Sequence, residues 1–220
     1  MTQEDWDAAR AAHARGDYAN ALWLYRVLAD QGDARAQDNL GVIYENGLGV
    51  PRNYPEAEKW YRRAASQGNA NAQNNLGVMY EHGHGVPKNY AEAVKWYRLA
   101  AEQGDVNAQH NLGNQYESGS GVPLNYNEAV RWYRKSAERG HPMAQANLGV
   151  MYELGHGVAQ DYVRAYMWFA LSAAGFPASE AKNRGLAIKN RDQIAARMST
   201  EKIAEARQLA REWRPKPASS

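Results

Sequence analysis

The chain has 220 residues, 44% of them hydrophobic and 23% charged, with a formal net charge of +2; this fits a folded protein and gives no argument for nucleic acid or an anionic membrane as partner. Cysteine is absent, which excludes disulfide staples, zinc ribbons and thiol catalysis. Met1–Asp5 runs straight into charge and no window approaches 18 apolar residues, so the expectation is a soluble protein without membrane insertion, cytoplasmic as written and periplasmic or secreted if a leader was removed.

Residues 1–33 predict a shortened helix pair that caps the chain. A helix from about Gln3 to Arg15 is followed by Gly16-Asp17-Tyr18 and a second helix carrying Tyr18, Ala21, Tyr25 and Arg26. From residue 34 the sequence repeats every 36 residues, giving units 34–69, 70–105, 106–141 and 142–177. Asn-Leu-Gly recurs at 39–41, 75–77, 111–113 and 147–149, and Trp recurs at 60, 96, 132 and 168. Each unit reads as two helices, as in Ala70–His82 and Tyr90–Gln103. Gly83-x-Gly85 stops the first helix and Pro87 lies in the connector. Gly77 and its equivalents sit inside a helix, where Gly costs roughly 1 kcal/mol relative to Ala, so each is expected beneath an aromatic ring of the partner helix. The repeated Trp residues are expected in the core.

After residue 177 the pattern decays into a segment, 178–213, that holds a degenerate repeat and a capping helix. Asn183 and Gly185 keep the register of the repeat, and a helix at about 200–213 presents Ile203, Ala206, Leu209, Ala210 and Trp213 on one face as a lid. Residues 214–220 are expected to be a disordered tail.

The pattern Ala-x-x-x-Trp-Tyr-Arg-x-Ala-Ala-x-Gln-Gly, then Ala-Gln-x-Asn-Leu-Gly-x-x-Tyr-x-x-Gly-x-Gly-Val, closely resembles the Sel1-like repeat, a relative of the tetratricopeptide repeat with a longer connector. The resemblance implies an all-α fold, a right-handed α-α superhelical solenoid of helix-turn-helix repeats, elongated and curved. It also implies an adaptor function: a scaffold, not an enzyme, that binds a protein or peptide in its concave groove.

Copies compared with one another separate packing positions from variable ones. The variable positions of the first helix are Arg35/Asn71/Asn107/Met143, Asp38/Asn74/His110/Ala146, Val42/Val78/Asn114/Val150 and Asn46/His82/Ser118/Leu154, all on one face. In tetratricopeptide-like folds that face lines the groove. The repeated Asn39, Asn75, Asn111 and Asn147 lie on or beside it, and two readings stay open: they bind a partner, as the resemblance implies, or they tie one repeat to the next. In the third unit Asn114-Gln115 replaces Val-Ile or Val-Met, so both are expected to face solvent or ligand. With Asn74, Asn107, His110 and Asn111, Asn114 forms a candidate polar patch for an extended peptide.

Other chemistry is discounted. His82, His84 and His156 lie on loops with no carboxylate shell, so they read as solvated and no metal or other cofactor is expected. The resemblance raises an alternative function, a small-molecule-binding or hydrolytic protein of the β-lactam-recognising kind, and Ser-x-x-Lys occurs at Ser179–Lys182 and Ser199–Lys202. Ser-Asp-Asn and Lys-Thr-Gly are missing, and both serines are expected to cap helices, so no catalytic residue is assigned. Glu45, Glu81, Glu117 and Glu153 are one per repeat, not a catalytic pair. Residues 182–216 carry ten Lys/Arg and four Asp/Glu, which reads as a solvated basic end, and the expected state is a monomer.

Overall fold

The computed structural model describes residues 3–217, and all regular structure among them is helical. Two compact units divide the chain at Asp105 and Val106. The first contains α1 (Gln3–Ala14), α2 (Tyr18–Asp30), α3 (Ala34–Asn46), α4 (Tyr54–Ser66), α5 (Ala70–His82) and α6 (Tyr90–Glu102). The second contains α7 (Val106–Ser118), α8 (Tyr126–Glu138), α9 (Pro142–Leu154) and α10 (Tyr162–Gly175). A 3-10 turn (Ala178–Glu180), α11 (Ala181–Ala195) and α12 (Thr200–Glu212) complete it. Within each unit, consecutive helices pack as pairs and each pair stacks on the next.

Local sequence sets the boundaries. Asn53, Asn89 and Asn125 cap α4, α6 and α8 by accepting the amide N–H of Glu56, Glu92 and Glu128, three residues on. The first helices stop at Gly47, Gly83 and Gly155, whose φ angles of +68°, +78° and +73° place them in the left-handed region. Gly85 has a second constraint besides its φ of +71°, because a Cβ there would stand 2.7 Å from Cβ of Tyr54.

The helix-interior glycines meet the expected rings. A Cβ at Gly77 would lie 2.5 Å from the Tyr97 ring, and one at Gly113 equally close to Tyr133, so any larger residue would push the two helices apart. Each of those tyrosines then reaches a carboxylate of its own repeat. Tyr61 donates to Glu45 at 2.6 Å, and Tyr97 to Glu81 and Tyr133 to Glu117 at 2.5 Å. Glu45, Glu81 and Glu117 thus orient core tyrosines. Phe169 holds the tyrosine position of the fourth repeat, and Glu153 pairs with Arg197 there at 3.7 Å.

Buried glutamines link neighbouring pairs. Gln37, Gln73 and Gln145 donate to the carbonyls of Ala29, Ala65 and Ala137 at 3.1, 3.3 and 3.2 Å. The repeated tryptophans are less uniform than expected. Trp60, Trp132 and Trp168 are buried, but Trp96 is only half-buried at the edge of its cluster. Two loop histidines are also half-buried and not solvated as the sequence suggested. His84 stacks on Tyr54 at 4.9 Å and His156 on Tyr126 at 4.4 Å, each ring belonging to the preceding repeat.

At the C-terminal end α12 lies on α10, with Ala206 buried and Ile203 and Trp213 packed against the same core. Leu209, expected on that face, is 37% exposed. Gly185 keeps the register of the repeat but meets no ring; nothing lies within 4 Å of a Cβ built there. The stretch 214–217, expected to be disordered, is held at Lys216, whose amide donates to the Glu138 carbonyl and whose ammonium donates to the Glu138 carboxylate, both at 2.7 Å. Residues 218–220 lie outside the described residues.

Candidate functional site

The face picked out by variation within the repeats divides into inner and outer positions. Positions 35, 71, 107 and 143 are exposed in every copy, and so are 46, 82, 118 and 154. Between them, Asp38 and Asn74 are buried and His110, Asn114 and Asn147 are partly buried. The central positions therefore carry structural links, and the outer ones are presented to solvent.

In the first unit the link is Asn75 Nδ2 donating to Oδ1 of Asp38 at 3.1 Å, from one repeat back to the one before. Burial pushes the Asp38 carboxyl up to about 6, and Asp105 and Glu45 add to the shift while the Asn75 bond opposes it. Asn39 instead donates to its own helix, at the Arg35 carbonyl 2.8 Å away. Asn71 is exposed and Asn74 is buried.

In the second unit the same register builds a larger network. Asn147 Nδ2 donates to Oδ1 of Asn114 at 3.0 Å and lies 3.3 Å from Nε2 of His110. The Tyr133 hydroxyl, whose one proton goes to Glu117, lies 2.7 Å from that same Asn114 oxygen. His110 Nδ1 is 3.3 Å from Oδ1 of Asn111, and its ring stacks on His141 at 4.9 Å. Burial, with His141 adding, pushes His110 down to about 4. A neutral ring placed between an amide donor at Nε2 and an amide oxygen at Nδ1 carries its proton on Nδ1. His141 is lowered too, chiefly by burial with Glu180 opposing, and its Nδ1 accepts the Ala144 amide as the cap of α9 at 3.2 Å.

The structure thus brings His110, Asn111, Asn114 and Asn147 together, and leaves Asn107 exposed on the outer row. Two expectations need correction. Gln115 does not face solvent; it takes the core place of Ile43, Met79 and Met151, is 2% exposed, and its Oε1 has no hydrogen-bond partner among the described residues. Asn114 also turns inward, where Asn147 donates to it and the Tyr133 hydroxyl lies beside it. Sequence reading missed His141, which shows no repeat signal because Asp33, Asn69 and Asp105 stand at its position. It also missed the tyrosine–carboxylate pairs, whose signal was available: Glu precedes Tyr by 16 residues in three copies, and Phe169 breaks the pattern.

Two concavities border the face. One of about 560 Å³, in the first unit, is lined by Trp6, Asp7, Arg10, His13, Tyr25 and Asn39. The other, about 150 Å³, lies between α9 and α11, where Met143, Val150, Phe176 and Leu186 meet Asn147 and Asn190. Among the described residues no group of three or more His, Asp or Glu is placed to hold a metal ion. No helix among the described residues is long and apolar enough to cross a membrane. Ser199 caps α12 through the Lys202 amide at 3.4 Å, as expected. Ser179 does not cap α11; it lies exposed in the 3-10 turn, and no side chain caps that helix.

Comparison with known proteins agrees with this architecture. The Sel1 repeat matches residues 13–33, 34–69, 70–105, 106–141 and 142–175. A Sel1 repeat protein of Oxalobacter formigenes is similar in structure with a TM-score of 0.70 and 34% identity, over 88% of this chain and 85% of that one. The protective antigen c5321 of uropathogenic Escherichia coli gives 0.57 and 31%, over 89% of this chain and 48% of its own length. The immunity protein PA5088 of Pseudomonas aeruginosa gives 0.54 at 19% identity, over 86% and 82%, a likeness of fold alone. No curated protein matches by sequence. With five matched repeats and helix pairs packed on them throughout, the chain belongs to the Sel1 repeat family.

Proposed function

We propose that the chain is a non-catalytic adaptor that binds a protein or peptide segment along the face of its first helices. One observation carries this reading: the outer positions of that face are exposed in every copy yet differ in chemistry from copy to copy. In the first unit they are Arg35 and Asn71, with Asn46 and His82; in the second, Asn107 and Met143, with Ser118 and Leu154. Residues that serve only packing would be repeated, as Leu40, Leu76, Leu112 and Leu148 are. The inner asparagines Asn75, Asn111, Asn114 and Asn147 support the face and position it, while Asn71 and Asn107 are placed to touch the partner. Asn39 reaches it only at the border of the first cavity.

The fourth repeat offers the apolar part of the surface. Met143 is 37% exposed, Leu154 52% and Leu186 57%, beside the notch between α9 and α11. Affinity capture from lysate, with the triple variant Met143→Asp, Leu154→Asp and Leu186→Asp beside the native chain, tests this. The partner should be lost from the variant while its circular dichroism stays unchanged. Retention of every captured protein would remove this face. Turnover of a chromogenic β-lactam that vanished in Ser179→Ala would overturn the non-catalytic part.

A further inference from the structure

The N-terminal helix pair, α1 and α2, departs from the tyrosine–carboxylate pairing of the repeats that follow. Tyr25 is the equivalent of Tyr61, Tyr97 and Tyr133 and is only 1% exposed. Its connector has three residues, 15–17, where the next repeat has seven, 47–53. The Asp17 amide closes that turn on the Ala12 carbonyl, as the Asn53 amide does on the Tyr44 carbonyl. His13 therefore follows Ala12 as Glu45 follows Tyr44, and an imidazole stands where the inner repeats have a carboxylate. The His13 ring meets Tyr25 edge-on at 6.0 Å, and no described residue hydrogen-bonds the Tyr25 hydroxyl.

That phenol lines the 560 Å³ cavity together with Arg10, which has no ion-pair partner among the described residues. Arg10 is near enough for its charge to oppose the burial that pushes the Tyr25 pKa up. Trp6, Ala11 and Ala14 supply an apolar wall, and Asp7 on the lining accepts a bond from Gln3 at 3.1 Å. A phenol donor and a guanidinium beside apolar surface suit a carboxylate on a short methylene stem.

We propose that this cavity binds the acidic side chain of a partner segment, whose carboxylate takes the place that Glu45, Glu81 and Glu117 fill in the inner repeats. One oxygen accepts the Tyr25 hydroxyl, Arg10 balances the charge, and the methylenes lie along Trp6. This deepens the adaptor reading by naming what one end of the chain recognises. Its test needs no natural partner, so it can fail while that reading stands.

The probes are the blocked peptide acetyl-Ala-Glu-Ala-amide, its Gln counterpart and free glutarate, titrated into the full chain. The Trp6 indole and Arg10 Nε resonances are followed by NMR. The Glu peptide should give saturable shifts and the Gln peptide none. Tyr25→Phe should weaken binding tenfold and still fold, because Phe169 stands at that position of the fourth repeat. His13→Glu should abolish binding and raise the melting temperature, the internal carboxylate now occupying the site. Equal shifts with the Gln peptide, or undiminished binding by His13→Glu, would overturn the proposal. Glutarate binding tenfold more tightly than the peptide would overturn the assignment to a partner segment.

Discussion

One position of the repeat is filled by Asp38 in the first unit and by His110 in the second, and each meets an asparagine 37 residues on, Asn75 or Asn147. The geometry is the same and the electrostatics are opposite. Burial penalises the charged form of either group, so the carboxyl is pushed up to about 6 and the imidazole down to about 4. Both rungs are therefore best satisfied neutral. The second reaches that state at physiological pH, and the first stays charged there at a cost. A solenoid with one backbone plan can thus carry links that respond to acid with opposite signs.

The largest consequence should be an acid-sensitive second unit. The folded pKa of His110 lies below its unfolded value, so between about 6.5 and 4 the unfolded chain binds more protons. The stability that the neutral ring provides is whole above 6.5 and lost as pH falls to 4, about 3 kcal/mol in all. His141 adds in the same direction. Hydrogen exchange resolved to α7 and α9 across that window should show the loss; flat protection would place His110 nearer to water than its burial implies.

Asp38 should do the reverse on a smaller scale. Its folded pKa is raised, so its stabilising share is full below 3.8 and lost as pH rises through 6. Asp38→Asn, the residue already present at position 74, should raise stability at pH 7 by on the order of 2 kcal/mol and change little at pH 3.5. Urea unfolding at the two pH values decides it. A loss at pH 7 would mean that the bond to Asn75 outweighs the burial of charge.

Removing the donor should separate the rungs further. Asn147→Ala strips a partner from both His110 and Asn114 and should cost about 1–3 kcal/mol. Asn75→Ala removes one bond from Asp38 and should cost less at pH 5 than at pH 7, since protonation relieves the carboxylate. Equal losses by chemical denaturation would show that the network around Asn147 adds nothing to a single bond.

The smallest effect concerns the cap. His141→Asp places at α9 the cap residue that Asp33 supplies to α3, worth a few tenths of a kcal/mol up to about 1. It also removes the second imidazole from His110, so the acid transition should narrow. Thermal melts at pH 5 and pH 7 should converge; a wider gap would sink the account of the stacked pair.

Most of the architecture was legible because tandem copies act as their own alignment. The helix ends at Gly47 and Gly83, and an aromatic ring over Gly77, followed from spacing and the missing Cβ alone; that the ring is Tyr97 and not Trp96 did not. The angular position of the variable residues on the helix was legible, but their depth was not. Angular position tells which side a residue takes, not how close the next repeat comes. Asp38, Asn74 and Gln115 looked presented and are buried. His84 and His156 looked solvated for the same reason, since their stacking partners belong to the preceding repeat. Trp96 erred in the other direction: a repeated residue was read as equally packed in each copy, although burial depends on the neighbours of that copy.

The rungs also bear on the last copy of the array. In both rungs a side chain of the upstream copy meets an asparagine of the copy that follows, Asp38 with Asn75 and His110 with Asn147. Asn183 still offers the downstream half, one period after Asn147. The upstream half is Ala146, which has nothing to accept with, and Asn183 turns to Glu180 at 2.9 Å instead. At this junction the side-chain rung is missing, and α11 packs instead on α10.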